Sequence, residues 1–82
     1  MEGTRVALVG IMIEDMEVVP QINGILHEYS DHIIGRMGIP YREKNINVIS
    51  IVLDAPQEII SALSGKLGMV RGVSSKCLYG KK

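Results

Sequence analysis

The hydrophobic positions change rhythm along the chain, and each change marks an element. Arg5 to Ile13, "RVALVGIMI", is a β-branched run that stops at Glu14-Asp15, which predicts a first strand. From Asp15 onward Val18, Val19, Ile22, Ile25, Leu26 and Tyr29 recur at helical spacing, with Asp15 placed to cap the helix start. Pro20 fits the first turn, where a missing amide matters least. Gly24 falls mid-helix at a cost of up to about 1 kcal/mol relative to Ala, so close packing is expected there. A second strand is predicted from His32 to about Ile39, a turn over "PYREKN", and a third strand from Ile46 to Leu53. In "DAPQE", Asp54 and Gln57 have capping-box spacing and Pro56 is pre-set for a first turn. Ile59, Ile60, Leu63 and Leu67 then supply the buried stripe of a second helix, which Gly68 terminates. Gly72 leads into a last strand, Val73 to Leu78, and a basic tail, "GKK".

The order is β-α-β-β-α-β. Right-handed crossovers turn it into one antiparallel sheet of strand order 4-1-3-2 with both helices on a single face, an α+β, ferredoxin-like sandwich. The whole chain, 1–82, is expected to be one domain with its core over about 5–78.

Alternation within the central strands raises a difficulty. Strand one presents Ala7, Val9, Ile11 and Ile13 to one side and Val6, Leu8, Gly10 and Met12 to the other. Strand three sets Ile46, Val48, Ser50 and Val52 against Asn47, Ile49, Ile51 and Leu53. Both strands are apolar on both faces, whereas a sheet with one wet face alternates apolar with polar. Two helices cover one face, and alternation alone does not say which. The other has an area of roughly 400 Å² from strand spacing and rise, comparable to the largest apolar patches of monomers, roughly 300–600 Å² and often functional. Self-association through that face is therefore expected, as a dimer or tetramer, with Val9, Ile11, Ile34, Ile49 and Ile51 as the expected contact residues. A different protein docked on the face or on a strand edge is the alternative.

Composition narrows the functional classes. Hydrophobic residues make up 46% of the chain, with no Trp or Phe, so the core must be aliphatic. Nine basic and nine acidic side chains cancel, leaving no general attraction to nucleic acid or an anionic membrane. Val6 to Ile13 is far shorter than the roughly 20 apolar residues that span a bilayer. No secretion signal is visible in "MEGTRVALVG", and the single Cys77 cannot build a disulfide framework, so a cytoplasmic location is expected.

Three segments carry a family resemblance: "GRMGIPY", "ISIVLDAP" and "ISALSGKLGMVRGV". With Gly35 to Tyr41 and Ser64 to Gly68 standing as that family has them, the chain resembles the iron-only hydrogenase system regulators from about Arg5 to Cys77. The resemblance implies a small ACT-like, ferredoxin-like domain. It is also similar in fold to the C-terminal regulatory domain of the nickel-responsive repressor. Such domains oligomerise through sheets and edges, and many take small effectors at subunit interfaces.

The candidate sites point the same way. There is no nucleophile elbow, no GxxxxGK[ST] loop and no legible triad, so no enzymatic activity and no cofactor are expected. An anion loop after strand one, as in ferredoxin-like acylphosphatases, would meet the carboxylates of "IEDME". His27, His32 and Cys77 fit no zinc spacing; His32 and Cys77 fall on opposite sheet edges, about 14 Å apart, and could share an ion only across subunits. Lys66, Arg71, Lys76, Lys81 and Lys82 invite a DNA-binding reading, but a ribbon-helix-helix needs a segment this chain has no room for, so no direct DNA contact is expected. If transcription is regulated, the domain acts as sensor or assembly element for a partner. Arg36, mid-strand between Gly35 and Gly38, wants a carboxylate, a carbonyl or a ligand anion. It either pairs across a subunit contact or, with Tyr41 and Arg42, faces an interface pocket for a carboxylate- or phosphate-bearing effector. Glu14 at the end of strand one is a further candidate.

Overall fold

The computed structural model describes residues 3–81, so Lys82 of the basic tail and the first two residues of the chain lie outside the described residues. The strands are β1 (Arg5–Ile13), β2 (Ile33–Tyr41), β3 (Ile46–Ala55) and β4 (Val73–Tyr79), and the helices are α1 (Val19–Glu28) and α2 (Gln57–Gly68). The sheet is antiparallel in the order β2-β3-β1-β4, which is the predicted order, with β1 and β3 central.

Local chemistry explains most boundaries. Asp15 caps a single 3-10 turn, Met16–Val18, by accepting from the Glu17 amide at 3.0 Å, and α1 follows with Pro20 in its first turn. Short 3-10 turns, Ser30–His32 and Arg42–Lys44, bracket β2, and Asn45 closes the second in the left-handed region at φ 57°. Pro40 and Tyr41, expected in the turn, extend β2 instead.

Two helix expectations are corrected. Gly24 is exposed, and a Cβ there would meet nothing within 4 Å, so no close packing explains it. Asp54 and Gln57 form no capping box, because Asp54 remains in β3 and Pro56 is the cap residue of α2. The Gln57 amide turns sideways instead. It accepts from Arg5 Nη1 at 2.9 Å and donates to the Tyr79 hydroxyl at 2.8 Å, while the Arg5 guanidinium stacks 4.1 Å from the Tyr79 ring centroid. One side chain thus ties the start of β1, the end of β4 and the first turn of α2 together.

The core lies between helices and sheet. Ile22 and Leu26 of α1 and Ile60, Leu63 and Leu67 of α2 bury their stripes against Ala7, Val9, Ile11 and Ile13 of β1 and Ile49, Ile51, Leu53 and Ala55 of β3. Among the described residues no buried side chain is polar or charged. On the outer surface of the helix layer, Lys66 Nζ donates to Glu28 at 2.8 Å. That hydrogen bond, with a further one involving Tyr29, holds the Lys66 pKa above its ordinary value. Its contribution is complete below the ordinary lysine pKa and is lost as pH rises through the raised value. Both side chains are about half exposed, so solvent and salt keep the contribution small.

Gly72 has a specific steric duty. Its φ is +78°, and a Cβ there would stand 2.7 Å from Asp15 Cβ, while its carbonyl accepts from the Glu14 amide at 2.8 Å. Gly72→Ala is expected to cost about 2 kcal/mol or more, seen as a melting temperature lowered by roughly 8–16 °C. Leu63, with no exposed surface, anchors α2. Leu63→Ala is expected to cost about 2–5 kcal/mol in a urea titration, and an unchanged midpoint would show that the helix layer is not packed as described.

Candidate functional site

The register sorts every strand position onto one of two faces, because residues directly opposite one another share a face. Opposite Val9 stand Ile51 and Cys77, and opposite Ile51 stands Arg36, so this row faces the helices. The rows facing away run straight across all four strands: Gly35–Val52–Leu8–Leu78, then Met37–Ser50–Gly10–Lys76, then Ile39–Val48–Met12–Ser74. Val6 and Tyr41 extend this face at its two ends. Within the three central rows Lys76 is the single charged residue.

This face is apolar and uncovered in the single chain. Leu8 is 40% exposed, Met12 49%, Met37 59% and Leu78 68%, although all four sit in regular strands of one sheet. The expected set of contact residues is corrected by this geometry. Val9, Ile11, Ile49 and Ile51 are at most 4% exposed because they form the floor under the helices, and Ile34 alone of the five is exposed. Parity in β1 and β3 is unbroken, so the open set is the other one.

A bulge in β2 completes the sorting. Ile33 pairs with Leu53 and Gly35 with Val52, leaving Ile34 as the extra residue. Ile33 therefore packs against the core, while Gly35, Met37 and Ile39 face outward. Without the extra residue, Met37 and Ile39 would share the helix side with Ile33.

The candidate effector residues do not converge within one subunit. Arg36 lies on the helix side and donates through Nη2 to Asn23 Oδ1 of α1, a partner that the sequence pattern gives no reason to choose. Tyr41, five residues on, lies about 17 Å farther along β2 and on the open side. Arg42 follows in the 3-10 turn. Glu14 extends the same end of the sheet from β1, two strands from Tyr41. Its amide is held by Gly72.

The other candidates are likewise dispersed. Cys77 is half-buried on the helix side of edge strand β4, whereas His32 precedes edge strand β2 and His27 is exposed near the end of α1. Among the described residues no three His, Cys, Asp or Glu side chains are grouped to hold a metal. Lys66 belongs to the helix layer and Lys76 to the opposite face, so these two, among the described basic residues, share no stripe. Among the described residues no helix is long and apolar enough to cross a membrane.

A hollow in the open face has no counterpart in the sequence pattern. It lies at Gly10, has a volume of about 190 Å³, and is lined by Gly10, Met12, Ser74, Ser75 and Lys76. It exists because Gly10 has no side chain and Ser74, diagonal to it on β4, is small, while Met12 and Lys76 wall it. Alternation places Gly10 and Ser74 on outward positions, but only the register brings them to the same place.

Comparison with known proteins agrees with this architecture. The chain is similar to a solved structure described as the uncharacterized protein TM1266 from Thermotoga maritima, with 37% identity and a TM-score of 0.91 over 95% of this chain and 99% of that one. No curated protein matches the chain. The family model described as "TM1266-like: Iron-only hydrogenase system regulator, putative" matches residues 5–77. The chain belongs to that TM1266-like family.

Proposed function

We propose that this chain is a non-enzymatic, cytoplasmic regulatory domain of the iron-only hydrogenase system. In this reading it works as a homo-oligomer joined through the open sheet face and senses a small effector at a subunit interface. The observation that carries the reading is the uncovered apolar face, with Val6, Leu8, Met12, Met37, Ile39 and Leu78 each 40% exposed or more. Burying roughly 400 Å² of it on each of two partners is a large gross gain at about 25 cal/mol per Å², from which association entropy and ordering subtract. The matching family model, described as "Iron-only hydrogenase system regulator, putative", supports the assignment to that system. The non-enzymatic part rests on a sequence with no legible nucleophile, base or phosphate loop.

The effector part rests on geometry that a single chain leaves incomplete. Arg36 and Tyr41 lie on opposite faces and far apart, so a site drawing on both would be shared between copies at the β2 edge rather than across the open face alone. Binding there would shift the assembly through its different affinity for two subunit arrangements. A different protein docked on the same face is the competing reading, and it calls for a monomer when the chain is alone.

Native mass spectrometry of the purified chain is expected to show a dimer or tetramer and any retained small molecule. Leu8→Asp places a carboxylate on the open face without touching the core, and it is expected to weaken association at least about tenfold while circular dichroism stays unchanged. A parent chain that sediments as a stable monomer at micromolar concentration would remove the oligomeric reading.

A further inference from the structure

The middle of α1 reads "INGI", so that Asn23 is followed directly by Gly24. We infer that Asn23 is a self-modification site: its amide becomes a carboxylate by attack of the Gly24 backbone nitrogen when α1 opens, and the closed helix and Arg36 protect it. The inference is independent of the oligomeric reading and concerns the lifetime of the helix layer.

The chemistry needs only the chain and water. The Gly24 nitrogen bonds to Asn23 Cγ, the bond from Cγ to Nδ2 breaks, and the Gly24 amide proton leaves with the departing nitrogen as ammonia. Water then opens the succinimide at either carbonyl, giving an aspartate at position 23 or its isoaspartyl isomer, linked through the side chain. Nothing is oxidised or reduced. Glycine hinders this closure least, because no Cβ stands beside the attacking nitrogen and the backbone turns freely. The other two asparagines, Asn45 and Asn47, are followed by Ile46 and Val48, whose branched side chains crowd the approach.

The fold both exposes the pair and restrains it. Asn23 and Gly24 lie at the surface, and a Cβ at Gly24 would meet nothing within 4 Å, so packing asks for no glycine there. In the formed helix the reaction is blocked. The Gly24 amide belongs to the helical hydrogen-bond ladder, and the Asn23 side chain tilts toward the preceding turn, away from the nitrogen that would attack it. Arg36 adds a tether from β2 by donating through Nη2 to Asn23 Oδ1. The helix itself is a weak element: it is 10 residues long, has no side-chain cap at its own start, and buries only Ile22 and Leu26 fully. Opening such an element locally takes less than global unfolding.

The two products differ in fit. Aspartate keeps the backbone and offers Arg36 a charge-assisted bond in place of a neutral one. The isoaspartyl form inserts an extra carbon into the main chain, which the helical ladder cannot accommodate, and so disrupts α1.

The test follows the amide directly. The purified full chain is held at mildly alkaline pH, and peptide mass spectrometry with an isoaspartyl methyltransferase assay reports each asparagine over time. Loss is expected at Asn23 while Asn45 and Asn47 persist, and to run at least about tenfold faster in denaturing urea than in buffer. Arg36→Ala is expected to speed the loss in buffer by about threefold or more. Gly24→Ala is expected to slow it at least about tenfold in urea and buffer alike. Survival of Asn23 in buffer for as long as Asn45 and Asn47 would reject the site, and equal rates in urea and buffer would reject protection by the helix. An Arg36→Ala chain that keeps its circular dichroism and reacts at the parent's rate would remove Arg36 from the protection. Should that variant not fold, the parent's urea comparison and Gly24→Ala decide the site by themselves.

Discussion

The architecture depends on a mismatch between supply and demand for cover. β1 and β3 are apolar on both sides, and the described residues form two α-helices, both on one face. The helix side satisfies itself: Ile22, Leu26, Ile60, Leu63 and Leu67 close over Val9, Ile11, Ile51 and Leu53 with essentially no exposed surface. Everything else of interest follows from the side left over. Its rows are complete across four strands, it carries one charge in the central three, and its side chains are as large as those of the core. A sheet that faces water in isolation has no use for Leu8 beside Val52 and Met12 beside Val48.

The polar groups show how the helix layer is held in place. Arg36 reaches Asn23 from one sheet edge, and Gln57 gathers Arg5 and Tyr79 at the other. These contacts lie around the perimeter of an entirely apolar core, so they orient the helices without asking the interior to bury charge. Arg36 consequently has a partner inside its own subunit. Any ligand or neighbouring carboxylate that claimed its guanidinium would have to compete with Asn23.

Much of the fold is legible in the sequence because it is local or periodic. The bounds of β1, the stripe of α2 and the strand order come directly from spacing and from the handedness of crossovers. What escapes is relational. Alternation separates two sets of residues but cannot say which set the helices choose, and this is how Val9, Ile11, Ile49 and Ile51 come to be expected on the open side. The extra residue at Ile34 changes the parity of β2, and nothing in "HIIGRMG" marks it beyond the glycine that follows. Asp54 and Gln57 have the spacing of a cap, yet continuation of β3 through Ala55 takes Asp54 out of reach. Asn23 and the meeting of Gly10 with Ser74 require the third dimension, since their partners are distant in sequence.

The contact between Gly72 and Asp15 has a mechanical meaning. The corner where the chain leaves β1 for α1 and the corner where it enters β4 press together with no spare volume, and the Glu14 amide bonds them. They form one joint rather than two. A side chain at position 72 would wedge the two corners apart, and the strand that begins there carries Ser74 and Lys76 on the far side of the sheet. The joint therefore sets where the outer strand starts relative to the entry of the first helix.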